Sequence, residues 1–351
     1  MQHLIDRGLP PALVSALTPE ELQDALSGSG DTVIARVAYT AHGHVDLRVG
    51  DRVVSGICHP SLREDPPVVG DWVIARTDLD PWIATRVLPR VGVLRRRDPH
   101  NGVQRVAAHV DVALLCTAVG ADLNLRRTER WLALARESGA DPVILLTKAD
   151  AGVDVSADVA ALEALGDAPV LAVSGLQDRG LDALRAHLPA PRTGALLGSS
   201  GVGKSTLLNA LLDAAVQATA AVRAADDKGR HTTTARSLHP LPWGAWLIDN
   251  PGVREVGLVS EHGVGETFDD LEDLALSCRW RDCRHQGEDG CAIQGAVDAG
   301  DLTEGRRVAW AKLQKEAAHA EIHQRLGARG VERKKWKKIH QDIKKMKPKG
   351  E

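Results

Sequence analysis

Residues 198–205 read GSSGVGKS, and Gly198, Gly203, Lys204 and Ser205 fit the spacing GxxxxGK[ST] between an apolar run and a helix-forming stretch. Glycines let backbone N–H groups turn inward around a phosphate, and a helix N-terminus adds its partial positive charge. Lys204 is placed to reach the β and γ oxygens of a nucleotide, and Ser205 to bind Mg²⁺. The whole loop, Gly198, Ser199, Ser200, Gly201, Val202, Gly203, Lys204, Ser205 and Thr206, is therefore expected to hold the phosphates. Forty-four residues after Ser205, the run LIDNPG offers Asp249 at a strand end, the position from which a carboxylate holds Mg²⁺ through water. Gly252 follows as the N–H that senses a γ-phosphate. Between them lies GRHTTT, where Thr233 and Thr234 are the candidates to give Mg²⁺ a switch-segment hydroxyl.

A base-reading motif accompanies the phosphate loop but comes before it in the chain. In PVILLTKAD, Thr147, Lys148 and Asp150 end an apolar strand run. A carboxylate there accepts both the N1–H and the exocyclic N–H of guanine, a pair that adenine cannot supply, while the Lys148 stem covers the base face. Ser174, after the next strand run PVLAV, is the candidate base-loop donor. The order is thus base motif, base loop, phosphate loop, switch threonine, Mg²⁺ aspartate: a GTPase sheet cut and rejoined elsewhere. Loops need adjacency in space only, so circular permutation is tolerated.

A second chemistry follows. Cys278, Cys283, His285 and Cys291 are spaced C-x4-C-x-H-x5-C, and three thiolates with one imidazole suit a closed, tetrahedral, structural Zn²⁺. Arg279, Arg281 and Arg284 lie between the ligands and suit a phosphate-facing knuckle. Cys58 and Cys116 stand alone in apolar runs and read as small buried hydrophobes.

These groups need elements to position them. The first thirty residues read as an amphipathic helical extension, with Thr18 as N-cap, Pro19 at the first helical position and Glu21 completing a capping box. Over 31–95 the hydrophobic period is two, in five short runs broken by Gly, Asp, His and Pro, the pattern of a small all-β barrel; an OB-like barrel fits it, and an SH3-like one would look similar. The run PRVGVLRRRDPH reads as a basic linker. Over 96–265 strand and helix runs alternate, predicting a parallel α/β sheet with ligand loops at strand ends. Over 266–351 the strands stop, and a helical zinc-binding domain ends in a basic tail. The fold class is α/β: a circularly permuted P-loop GTPase sheet between an OB-like barrel and a helical zinc-binding domain.

The composition, 43% hydrophobic and 26% charged, is that of a globular protein, and its net charge of −3 hides an asymmetry. Residues 325–351 carry eleven Lys or Arg against three Asp or Glu, so the tail suits a polyanion. No run is long and apolar enough to span a membrane, and the first residues do not read as a signal peptide, so the chain is expected to be cytoplasmic.

Barrel, permuted GTPase and Cys-Cys-His-Cys module, with GSSGVGKS, GRHTTT, DNPGVRE, CRWRDCRH and the VVGDWV turn, together resemble the ribosome small subunit-dependent GTPase family, RsgA or YjeQ. The resemblance covers about residues 30–345. It implies a GTPase that binds the small ribosomal subunit and its rRNA late in maturation, is stimulated there to hydrolyse GTP to GDP, carries one structural zinc and uses Mg²⁺ with GTP. A monomer is expected. The family usually has Asn where this chain has Thr147. Val253 occupies the place where GTPases often carry a water-orienting Gln, so the resemblance points to His231, as the catalytic group, or to the ribosome as the source of water positioning. Two other functions fit parts of the pattern: a permuted GTPase of large-subunit assembly, and an RNA-binding scaffold without useful turnover.

Overall fold

The structure is a computed structural model. It describes residues 2–318 except 7, 28–29, 42, 99–101, 121–122, 151, 220–235 and 251–261. Two compact units emerge: Met1–Leu94 with Arg105–Glu255, and Arg95–Gln104 with Val256–Glu351.

The first unit begins with two helices, α1 (Gln2–Ile5) and α2 (Pro19–Ser27). The capping box is present: Glu21 N donates to Thr18 Oγ1 at 3.2 Å, and Thr18 N to Glu21 Oε2 at 2.8 Å. Glu21 also pairs with Arg86, which ties the helix to the barrel.

The period-two runs fold as β1 (Thr32–Ala41), β2 (His44–Val49), β3 (Arg52–Cys58), β4 (Trp72–Arg76) and β5 (Trp82–Val87). Their order is β1-β2-β3-β5-β4, and β4 pairs back onto β1, so the barrel closes. Closure leaves no free edge, and alternate residues such as Val37, Leu47, Val73 and Ala84 fill the interior.

The expected basic linker instead contains strand β6 (Leu94–Asp98), followed by β7 (Gly102–Ala107). An all-arginine centre hides a strand from a hydrophobicity reading, because its pairing does not need buried side chains on both faces.

The α/β part contains β8 (Val112–Ala118), α3 (Leu125–Glu137), β9 (Asp141–Thr147), α4 (Ser156–Glu163), β10 (Val170–Ala172), α5 (Leu181–His187), β11 (Thr193–Gly198), α6 (Lys204–Thr219), β12 (Ser237–Pro240) and β13 (Trp246–Asp249). Sheet order is β10-β9-β8-β11-β13-β12, parallel except for β12. β8 and β11 are buried along their whole length, as strands covered on both faces must be. The chain's first α/β strand, β8, therefore lies between β9, which carries the base motif, and β11, which carries the phosphate loop.

The antiparallel strand β12 was not legible in the sequence. It pairs with β13 and also bridges to β1 at Tyr39↔Ser237, so barrel and α/β strands form one eleven-stranded sheet. Arg36 locks this joint. It is 1% exposed, its guanidinium lies 5.4 Å from the Trp72 ring and 5.3 Å from the Trp246 ring, and Nη2 donates to Thr193 Oγ1 at 2.6 Å. Burial lowers its pKa to about 10 against the opposing pull of Asp111 and Asp71, so it is charged at neutral pH.

The second unit contains α7 (His262–Thr267), α8 (Asp269–Leu276), α9 (Ala292–Ala299) and α10 (304–318), with Phe268, Leu271, Ile293, Trp310 and Leu313 buried.

Candidate nucleotide site and metal centre

β11 delivers the phosphate loop and α6 leaves it. Gly201 and Gly203 have φ of +79° and +101°, where a side chain would be strained, and such turns let backbone N–H groups face a bound phosphate. Lys204 is buried, and its Nζ donates to Gly198 O at 2.9 Å and Ser199 O at 2.7 Å. Burial lowers its pKa, while Cys116 and Asp249 pull the other way.

Asp249 ends β13 beside this loop, in register with Leu196 of β11. It is 1% exposed, and neither carboxylate oxygen has a hydrogen-bond partner among the described residues. Burial raises its pKa, and the charge of Lys204 lowers it. A buried carboxylate with both oxygens unsatisfied is costly alone, and a hydrated divalent cation is the partner that suits it.

The base motif, at the end of β9, lies two strands from β11 and its phosphate loop at the same carboxyl edge, about 10 Å by strand spacing. Thr147 bridges the gap. Its Oγ1 lies 3.0 Å from Thr117 O at the end of β8 and 2.5 Å from Val202 O in the phosphate loop, so a hydroxyl supplies the link between loops. Asp150 is half-buried, and its Oδ1 accepts from Ser174 Oγ at 2.5 Å. Ser174 Oγ in turn accepts from Leu176 N and Gln177 N, which fixes the base loop around the carboxylate. Lys148 is exposed with φ +60°, so its stem leaves the backbone beside Asp150. A Cβ on Gly175 would lie 3.0 Å from Thr206 O and Leu207 Cα, so the base loop rests directly on the first turn of α6.

Thr147, Lys148, Asp150, Ser174 and the loop 198–206 thus share one edge of the sheet with Asp249. His231, Thr233, Thr234 and Gly252 lie outside the described residues. The sequence reading overlooked Arg127 in α3, whose Nη1 donates to Ser199 Oγ at 2.6 Å. No local signal marks it, because a charged residue in a helix's first turn reads as solvated.

In the second unit, one donor atom from each of Cys278, Cys283, His285 and Cys291 lies within 4.8 Å of the others. Cys278 Sγ and Cys291 Sγ are 3.5 and 3.7 Å from His285 Nδ1. These separations match the edges of a tetrahedral S₃N shell with metal–ligand distances of about 2.0–2.3 Å. Outer partners orient the donors. Ala292 N and Gln294 N, at the start of α9, donate to Cys278 Sγ and Cys291 Sγ, and Arg307 Nη1 donates to His285 O at 2.7 Å. Trp310, 5.2 Å from the His285 ring, donates to Glu272 Oε1 and so ties the metal loop to α8.

The sequence profile of the RsgA GTPase family matches residues 87–259. The chain is 42% identical over 335 residues to the small ribosomal subunit biogenesis GTPase RsgA of Methanosarcina acetivorans, covering 93% of this chain and 91% of the relative. It is 39% identical to RsgA 2 of Lactiplantibacillus plantarum, covering 92% of each. Among solved structures, YjeQ from Thermotoga maritima superposes with a TM-score of 0.60 at 23% identity over 82% of this chain and 99% of the other, and YloQ, a circularly permuted GTPase, with 0.57 at 22% identity over 83% and 96%. At those identities the structures show the fold: the permuted sheet read from motif order is the architecture observed.

Proposed function

This chain belongs to the RsgA GTPase family, and we propose that it hydrolyses GTP while docked on the small ribosomal subunit late in that subunit's maturation. The observation that carries this reading is the half-buried carboxylate of Asp150, held by Ser174 on a loop that rests on the first turn of α6. The names of the relatives supply the subunit. In this reading Lys204 and the loop N–H groups of 198–206 bind the phosphates, and Lys148 and Asp150 bind the base. Ser205, Asp249 and a switch threonine, Thr233 or Thr234, hold Mg²⁺, which supplies charge neutralisation at the β and γ oxygens. Gly252 senses the γ-phosphate, and His231 positions the attacking water. We assign the barrel, the knuckle arginines and the basic tail to rRNA, and the whole to a cytoplasmic monomer. No described helix is long and apolar enough to cross a membrane.

Steady-state phosphate release measured alone, with small subunits and with large subunits tests the reading. Turnover is expected to be slow alone and raised only by the small subunit. Stimulation by the large subunit alone would point to large-subunit assembly, and no multiple turnover anywhere would point to an RNA-binding scaffold.

We assign the Cys₃His cluster to one structural Zn²⁺. The donor set is closed, and thiolates with an imidazole favour zinc over harder cations. Elemental analysis is expected to give about one zinc per chain. Because metal binding is part of the folding free energy of such a module, Cys283→Ser is expected to raise hydrogen exchange across 269–299 while leaving β8–β11 protected. Zinc-free protein with unchanged exchange would sink the assignment.

A further inference from the structure

We propose that Arg127 is a γ-phosphate contact, held on the phosphate loop through Ser199 until GTP draws it onto the substrate. The proposal rests on the reading that this loop binds a guanine nucleotide.

The base of the side chain is fixed. Asn124 Oδ1 accepts from Arg127 N at 3.0 Å and caps α3, and Thr128 and Trp131 of the same helix are buried. The guanidinium end is exposed and reaches the loop, where Nη1 donates to Ser199 Oγ at 2.6 Å. Lys204 Nζ donates to the carbonyl of the same residue at 2.7 Å. Two cations therefore converge on the neutral oxygens of Ser199.

Several other arginines in this unit are matched with carboxylates, whereas Arg36 and Arg179 donate to neutral oxygens. Arg136, farther along α3, pairs with Asp167, Arg192 with Asp141, and Arg90 with Asp71 and Asp65. Among the described residues Arg127 has no carboxylate partner. Beside it Thr117, Trp131, Ser199, Ser200 and Gly201 line a cavity of about 270 Å³.

A neutral hydroxyl is a weak partner for a guanidinium. A phosphate oxygen offers a charge-assisted and frequently bidentate bond, roughly twice as strong as a neutral one. The loop's own N–H groups enclose the β-phosphate, so a side chain arriving from α3 over Ser199 and Ser200 meets the terminal phosphate. Arg127 would then favour GTP over GDP in the ground state. It would also neutralise charge on the γ oxygens as the bond to the β-phosphate breaks.

The test is equilibrium binding of GDP and of a GTP analogue with a non-hydrolysable β–γ bridge, measured for wild type, Arg127→Ala and Arg127→Lys. Arg127→Ala is expected to weaken the analogue about 10- to 100-fold and GDP by less than about threefold. Arg127→Lys, which keeps the charge without the fork, should fall between. An Arg127→Ala protein that melts as wild type does and loses both ligands equally, or neither, overturns the proposal and leaves Arg127 as a brace for the loop. A wild type that binds neither nucleotide overturns the reading of the loop itself, and the proposal with it.

Discussion

Replacing Asp150 by Asn is expected to turn a guanine-selective site into one that prefers xanthine nucleotides. The carboxylate presents two acceptor oxygens at a strand end, one already accepting from Ser174 Oγ. Guanine offers two N–H donors to such a group. An amide replaces one acceptor with a donor, which opposes guanine and matches the extra carbonyl of xanthine. Two charge-assisted hydrogen bonds are at stake in a half-buried site, so guanine affinity should fall roughly 10²- to 10⁴-fold. Displacement of labelled GDP by unlabelled GTP, XTP and ATP measures the change. A variant that still ranked GTP above XTP would remove Asp150 from the base-reading role.

His231→Ala should abolish the small-subunit stimulation of turnover by roughly 10²- to 10⁴-fold, the usual contribution of a positioned proton acceptor. Val253, at the place where a glutamine often orients water, is apolar and cannot do so. The loss should appear in kcat, with GTP affinity and subunit binding within about twofold of wild type, because a group that acts on the attacking water stabilises the transition state alone. Parallel loss of subunit binding would instead make His231 a docking residue.

Much of this was legible because the motifs rest on local chemistry. Gly201 and Gly203 take up positive φ, and Thr18 and Glu21 form their capping box, because each depends on a few neighbouring residues. The five barrel strands were visible as period-two runs, since each turns alternate residues into the barrel interior. The α/β strands were visible as continuous apolar runs, since both faces are. β12 was not visible: Ser237–Pro240 is four residues long and mixed in polarity, and it is a strand because β13 and β1 supply its hydrogen bonds. β6 escaped for a related reason, as its arginines carry no apolar pattern.

The sequence by itself determined the groups on offer: a GxxxxGKS loop, a carboxylate at Asp150 after a strand, a second at Asp249 and a four-donor Cys/His loop, in an order that implies a permuted sheet. Residue type and short-range spacing suffice for these, because a loop's ability to hold phosphate or metal is set within a dozen residues or so. Only the tertiary structure decided which of these groups meet. It put β8 between β9 and β11, so that Thr147 spans from the base motif to the phosphate loop through Thr117 O and Val202 O. It buried Asp249 without a hydrogen-bond partner among the described residues, and it brought Arg127 onto Ser199 from seventy-two residues away. Such contacts depend on strand order and helix docking, which the burial of the whole sheet fixes and no local run of residues encodes.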